Sequence, residues 1–113
     1  MQGFTETEYG FIKIENSILI FIYKANEQFD EEMADRAIED RFKLTNKTTY
    51  PVLVDIRGVK NFTRGAKELM ASKGNKFISA VAIIVKSPVE RMIANSYISL
   101  NQPPKPTRMF TDE

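Results

Sequence analysis

Cysteine and histidine are both absent from these 113 residues. Without cysteine the chain has no disulfide, no thiol nucleophile and no thiolate metal site. Without histidine it lacks the commonest general base and the commonest metal ligand. An enzyme built from this sequence would depend on carboxylates, Lys, Tyr, Ser or Thr. The reading is therefore non-catalytic, with no metal and no cofactor. A surplus of one charge is missing too. Sixteen basic and 15 acidic residues leave a net charge of +1, which favours neither nucleic acid nor an acidic partner. No apolar run approaches the roughly 18 residues that span a bilayer. The longest, Ile18 to Tyr23 and Ala80 to Val85, have strand length. Met1 to Glu8 is polar and acidic, unlike a signal peptide, so a cytoplasmic location is expected. The five glycines are scattered, and none builds a phosphate-cradling loop.

What is present fits one domain over residues 1–113, large enough for a core of its own. Gly10 to Glu15 and Ile18 to Tyr23 read as two strands. The two-residue link Asn16-Ser17 makes them an antiparallel hairpin. The second strand is apolar at every position, so both of its faces are expected to be covered. Asp30 caps a helix whose inner face carries Ala34, Ala37, Ile38 and Phe42. Pro51 to Ile56 is a third strand, again apolar on both faces. Thr63 to Lys73 reads as a second helix stopped by Gly74 at its C′ position. Phe77 to Val85 is a fourth strand. Ser87 and Glu90 form a capping box with Pro88 at the first helical position. In that third helix Val89, Met92, Ile93, Ser96, Tyr97 and Leu100 trace one face. Thr107 to Phe110 is a short fifth strand, and Asp112 reads as the cap of a further helix that the chain stops short of. The order is ββαβαβαβ: an α/β fold with a mostly parallel mixed sheet, an N-terminal antiparallel hairpin and right-handed βα crossovers.

The corner between the third strand and the second helix holds the chief candidate site. Ligand and partner sites in open α/β sheets favour the carboxyl ends of strands. Here Asp55-Ile56 ends a strand and Thr63 caps the next helix, whose first N–H groups suit an anion. Arg57, Lys60 and Arg64 surround that end with positive charge. A plain capped helix with solvated basic residues is the structural alternative. Asp55 needs a partner if buried, and Arg57 or a backbone N–H fits that need. Phe4, Tyr9, Phe11, Phe21 and Tyr23 concentrate aromatic rings in the hairpin, where packing on the sheet accounts for them.

Val54-Asp55-Ile56 followed by Phe62-Thr63-Arg64-Gly65-Ala66 resembles the corresponding corner of the STAS superfamily, which includes sulfate transporters and anti-sigma factor antagonists. In the antagonists a V-D-L-like strand end leads to an F-x-D-S-S-G-like loop. The strand end matches well and the loop loosely. The serine that a partner kinase phosphorylates falls on Arg64, and the aspartate before it falls on Thr63. Arg cannot accept a phosphoryl group, so the switch is not carried over; Thr63 is the one displaced phosphoacceptor to weigh. The stretches from Ala82 to Pro88, Arg91 to Asn95 and Pro103 to Glu113 resemble a small bacterial STAS-like or SEC14-like branch, whose members continue into an acidic amphipathic C-terminal helix. The resemblance implies a protein-interaction or regulatory module that binds a protein partner through Arg57, Lys60, Thr63 and Arg64. Its alternative is a binding protein for a small apolar ligand or lipid. A homodimer is a further expectation.

Overall fold

The computed structural model describes residues 3–111. Six strands run β1 Thr5–Glu6, β2 Gly10–Glu15, β3 Ile18–Tyr23, β4 Tyr50–Asp55, β5 Ile78–Val85 and β6 Thr107–Thr111. Three helices alternate with the later strands: α1 Glu31–Thr45, α2 Arg64–Ala71 and α3 Pro88–Ser96. The sheet order is the chain order, β1 to β6. β1, β2 and β3 pair antiparallel, and β3 to β6 pair parallel. No helix among the described residues is long and apolar enough to cross a membrane.

Local signals explain most of the elements. Asn16 and Ser17 both take positive φ, 51° and 64°, as the tight hairpin turn requires. The Asp30 carboxylate accepts the Met33 N–H at 2.9 Å and caps α1. Asn46 ends that helix in the left-handed region. Pro51 has no N–H to give a central ladder, and the β4–β5 register shifts between Tyr50 and Val52 to accommodate it. Ser87 and Glu90 form the full capping box, with Pro88 opening α3.

The structure corrects several expectations. β1 adds a short strand ahead of the hairpin, because Thr5 and Glu6 pair with Ile12 and Phe11. Helix α2 stops at Ala71, and Gly74 lies in a buried 3₁₀ turn, Lys73–Asn75. A Cβ at Gly74 would come within 3.2 Å of Ile38 Cδ1, so this glycine serves a close approach to α1. Phe77 stands outside β5 with φ 61°. The face read for the third helix holds only in part. Tyr97 is buried and Ile93 and Ser96 are half-buried, but Val89, Met92 and Leu100 are exposed, and Glu90 and Ala94 take inner positions. Glu90 is drawn inward by backbone N–H groups, and that turns the helix. Asp112 lies outside the described residues.

The largest correction concerns the sheet. Each parallel crossover moves one strand further in the same direction, and right-handed connections of that kind stack every helix on one face. Leu19, Phe21, Tyr23, Val52, Ile83 and Val85 point to that face and are buried. Their neighbours Ile20, Ile22, Leu53, Ala82 and Ile84 point the other way and are only half-buried. The apolar strands are thus covered on one side, not two. Tyr9, Phe21, Tyr23, Phe29 and Phe62 pack as one aromatic cluster on the helix side, with ring centroids 4.6–5.7 Å apart. Tyr9, Phe21 and Tyr23 of the hairpin therefore serve the core.

Candidate functional site

The corner after β4 is built by its backbone. The loops that follow β3 and β4 stay paired beyond the strands, through isolated parallel bridges Asn26–Val59 and Phe29–Phe62. Four backbone hydrogen bonds join them: Asn26 N to Gly58 O, Lys60 N to Asn26 O, Phe29 N to Asn61 O and Thr63 N to Phe29 O. Val59 and Phe62 are pinned inward and buried. Gly58 takes φ 95°, which favours glycine. Helices α1 and α2 consequently begin side by side.

The candidate residues hang on this frame. The Asp55 carboxylate is buried, and it accepts the Arg57 N–H at 3.0 Å. The Arg57 guanidinium folds back over it, with Nε 3.0 Å from Oδ1 and Nη2 2.7 Å from Oδ2. This two-pronged pair answers the need of a buried carboxylate. Lys60 Nζ lies 3.1 Å from Glu27, and Arg64 Nε lies 3.0 Å from Glu68. The Thr63 hydroxyl accepts the Ala66 N–H at 3.2 Å as the helix cap. Arg57, Lys60 and Arg64 are thus met by three different acidic residues. The positive charge is neutralised locally, and one of the N–H groups at the start of α2 is taken by Thr63.

Glu90 ties this corner to α3. Its carboxylate accepts from Lys86 N at 2.7 Å, Ser87 N at 3.3 Å and Gly58 N at 3.1 Å. Burial pushes its pKa up, but those N–H groups and the Ser87 hydroxyl outweigh burial and hold it below the ordinary value. The capping box in the sequence shows the Ser87 half of this arrangement. The reach to Gly58 is a tertiary contact that no local pattern reveals.

The bare face of the sheet is the second surface. Two rows of side chains cross it in register. One runs Lys13, Ile20, Leu53, Ala82, Arg108, and the other Phe11, Ile22, Asp55, Ile84, Phe110. The Asp55–Arg57 pair therefore stands at the end of this face, and the corner and the face are continuous there. Ala80 and Ala82 floor a shallow trough walled by Ile18 and Leu53 on one side and Arg108 and Phe110 on the other. Phe110 is half-exposed.

On the opposite side, between sheet and helices, lies a cavity of about 70 Å³ lined by Tyr23, Arg41, Lys67, Asn75 and Tyr97 among apolar side chains. Arg41 had a sequence signal. It falls at i+4 from Ala37 and i+3 from Ile38, on the apolar stripe of α1, where a charge is out of place. Among the described residues no group of three or more acidic side chains is placed to hold a metal ion.

The fold and its one-sided helix layer define a class. The structure superposes with a TM-score of 0.63 on an uncharacterised protein of the DUF3478 family from Shewanella loihica PV-4, described as having a SpoIIAA-like fold. The two chains share 18% identity, and the match covers 96% of this chain and 92% of that one. The STAS-like fold implied by the Val54–Ala66 corner is therefore the fold of this protein. Residues 12–113 match a domain of unknown function, DUF7793, and the chain belongs to that family. No curated protein matches it.

Proposed function

We propose that this domain is a non-catalytic protein-interaction module, and that its contact surface is the bare face of the sheet. The observation that supports this reading is the trough over Ala80 and Ala82, an apolar surface with Arg108 on its wall. Exposed apolar patches with polar rims mark interaction sites. The small floor residues leave room for a helix laid along β5, and Arg108 asks for an acidic side chain beside the helix's apolar stripe. The occupant is therefore a partner presenting an acidic-flanked amphipathic helix. A second copy of the chain suits the face less well. A copy related by a two-fold axis along the strands would set Lys13 against Arg108, like charge against like. At the corner, Arg57 contributes to the rim through its pair with Asp55. Thr63 caps α2, and Lys60 and Arg64 stand exposed at the same corner, paired with Glu27 and Glu68. With Arg64 where the antagonists' serine falls, and Thr63 engaged as a cap, the module works without the phosphorylation switch.

The test uses two synthetic amphipathic helical peptides with the same Leu/Ala stripe, one flanked by Glu and one by Lys, each titrated into isotope-labelled protein. The Glu-flanked peptide shifts the amides of β4, β5 and β6, and Arg108→Glu reverses the preference. Equal binding of both peptides, or no binding, overturns the reading. So does a dimer by light scattering, twice the 13.0 kDa of one chain, that protects the same amides.

A further inference from the structure

We propose that the cavity on the helix side of the sheet is a binding site for a small apolar monocarboxylate, whose carboxylate is held by Arg41 with the hydroxyls of Tyr23 and Tyr97. This goes beyond the interaction reading and does not rest on it, since the cavity and the bare face lie on opposite sides of the sheet.

Arg41 carries the inference. It is 8% exposed, and among the described residues no carboxylate comes within ion-pair reach of it. A guanidinium has five N–H donors. One of them, on Nη2, goes to the Lys76 carbonyl at 3.0 Å. The Phe42 ring lies 5.1 Å from its central carbon, and the Tyr23 and Tyr97 phenols are close enough to act on its charge. A buried charge is costly unless it is paired. Asp55 shows how this fold treats a buried charge elsewhere: Arg57 grips it with two prongs.

The surroundings supply further donors and no anion. Tyr23 and Tyr97 line the same cavity, and each is 8% exposed. Burial pushes both phenols up, Tyr97 to about 12, so each keeps its proton at neutral pH. The Tyr97 oxygen accepts from Asn75 Nδ2 at 3.4 Å, which leaves its own hydrogen to donate. The Tyr23 hydroxyl makes no hydrogen bond to a described residue. The complement of a guanidinium and two phenols is a group that only accepts, and a carboxylate fits the guanidinium fork. Ile38, Val54, Met70 and Ile83 form apolar walls, which suit a hydrocarbon group, and Lys67, whose ammonium donates to Ser96 Oγ at 3.4 Å, is a second cation in the lining. Val54 faces the helix layer yet stays half-exposed, as a side chain beside unfilled space does. At about 70 Å³, the cavity is roughly half the ~150 Å³ apolar cavity that takes up benzene. Benzene has six heavy atoms, so about half that space holds a carboxylate with at most about one carbon behind it, the size of acetate.

Sodium formate, sodium acetate, ethanol, ethylammonium chloride and inorganic phosphate are each titrated into isotope-labelled protein, with amide shifts as the readout. Formate or acetate should shift the amides around Arg41, Asn75 and Tyr97 and saturate. The alcohol, the amine and phosphate should bind at least about tenfold more weakly. Tyr97→Phe, which keeps the ring, should weaken the carboxylate several-fold and leave the alcohol unchanged; Arg41→Met should weaken it at least about tenfold. If Arg41→Met does not fold, the comparison of acid with alcohol on the unaltered protein decides. Equal binding of acetate and ethanol overturns the proposal, and so does the absence of saturable carboxylate binding.

Discussion

Leu19 and Ile20 are neighbours in one strand and lead opposite lives. Leu19 faces the helices and is 1% exposed. Ile20 faces away, in register with Leu53 and Lys13, and no helix crosses it. Both are large aliphatic residues in a run without polar alternation. The two faces of β3 are thus equally apolar, and topology decided which of them the helices would bury. An apolar face that a fold leaves open is a surface waiting for something else, and that is why the interaction reading rests on it.

The sharpest way to break this comparison is to truncate both neighbours. Leu19→Ala should cost about 2–5 kcal/mol in chemical denaturation, as buried leucines do. Ile20→Ala should cost about 1 kcal/mol, since only part of its side chain leaves water on folding. Equal losses would mean that the bare face is covered in the folded chain.

Glu90→Gln tests the anchor that turns α3 and shapes the helix-covered side. Gln brings an amide N–H₂ among N–H donors, and the loss should be about 1.5–3 kcal/mol. The folded-state pKa of Glu90 is lowered. Its contribution is therefore fully present above the ordinary carboxylate range and lost as pH falls through the folded value. The gap between native and variant denaturation midpoints should be widest at neutral pH and close as the solution is acidified below about pH 4. A gap that does not change with pH would assign the effect to packing.

Thr63→Ala is the smallest change, about 1 kcal/mol for a lost N-cap. Thr63→Ser should restore it. Binding of the Glu-flanked peptide should not alter in either variant, because Thr63 belongs to the helix layer.

Much of this architecture could be read from local chemistry. The strand limits Gly10, Glu15, Ile18 and Tyr23, the turn at Asn16-Ser17 and the caps at Asp30, Thr63 and Ser87 each depend on residues a few positions apart. The pairing of Asp55 with Arg57 was legible for the same reason. What escaped depends on contacts distant in sequence. Strand order decides that Ile20 is bare. The reach of Glu90 to Gly58 decides that Met92 faces water. Ile38 on another helix accounts for Gly74. The charge of Arg41 on an apolar stripe was visible, but its meaning needed the two tyrosines that β3 and the end of α3 bring beside it.

The agreement between strand order and chain order has a consequence for how the protein is made. Every strand pairs with the one synthesised just before it. No strand waits for a later segment to slot in beside it. The sheet can therefore grow outward as the chain leaves the ribosome, each new strand docking on a finished edge. Pairing each strand with its chain neighbour keeps the closed loops as short as a parallel crossover allows. At each stage the newest strand is an edge with free N–H and C=O groups, open to pairing with a neighbouring chain, and β6 keeps that position in the finished sheet.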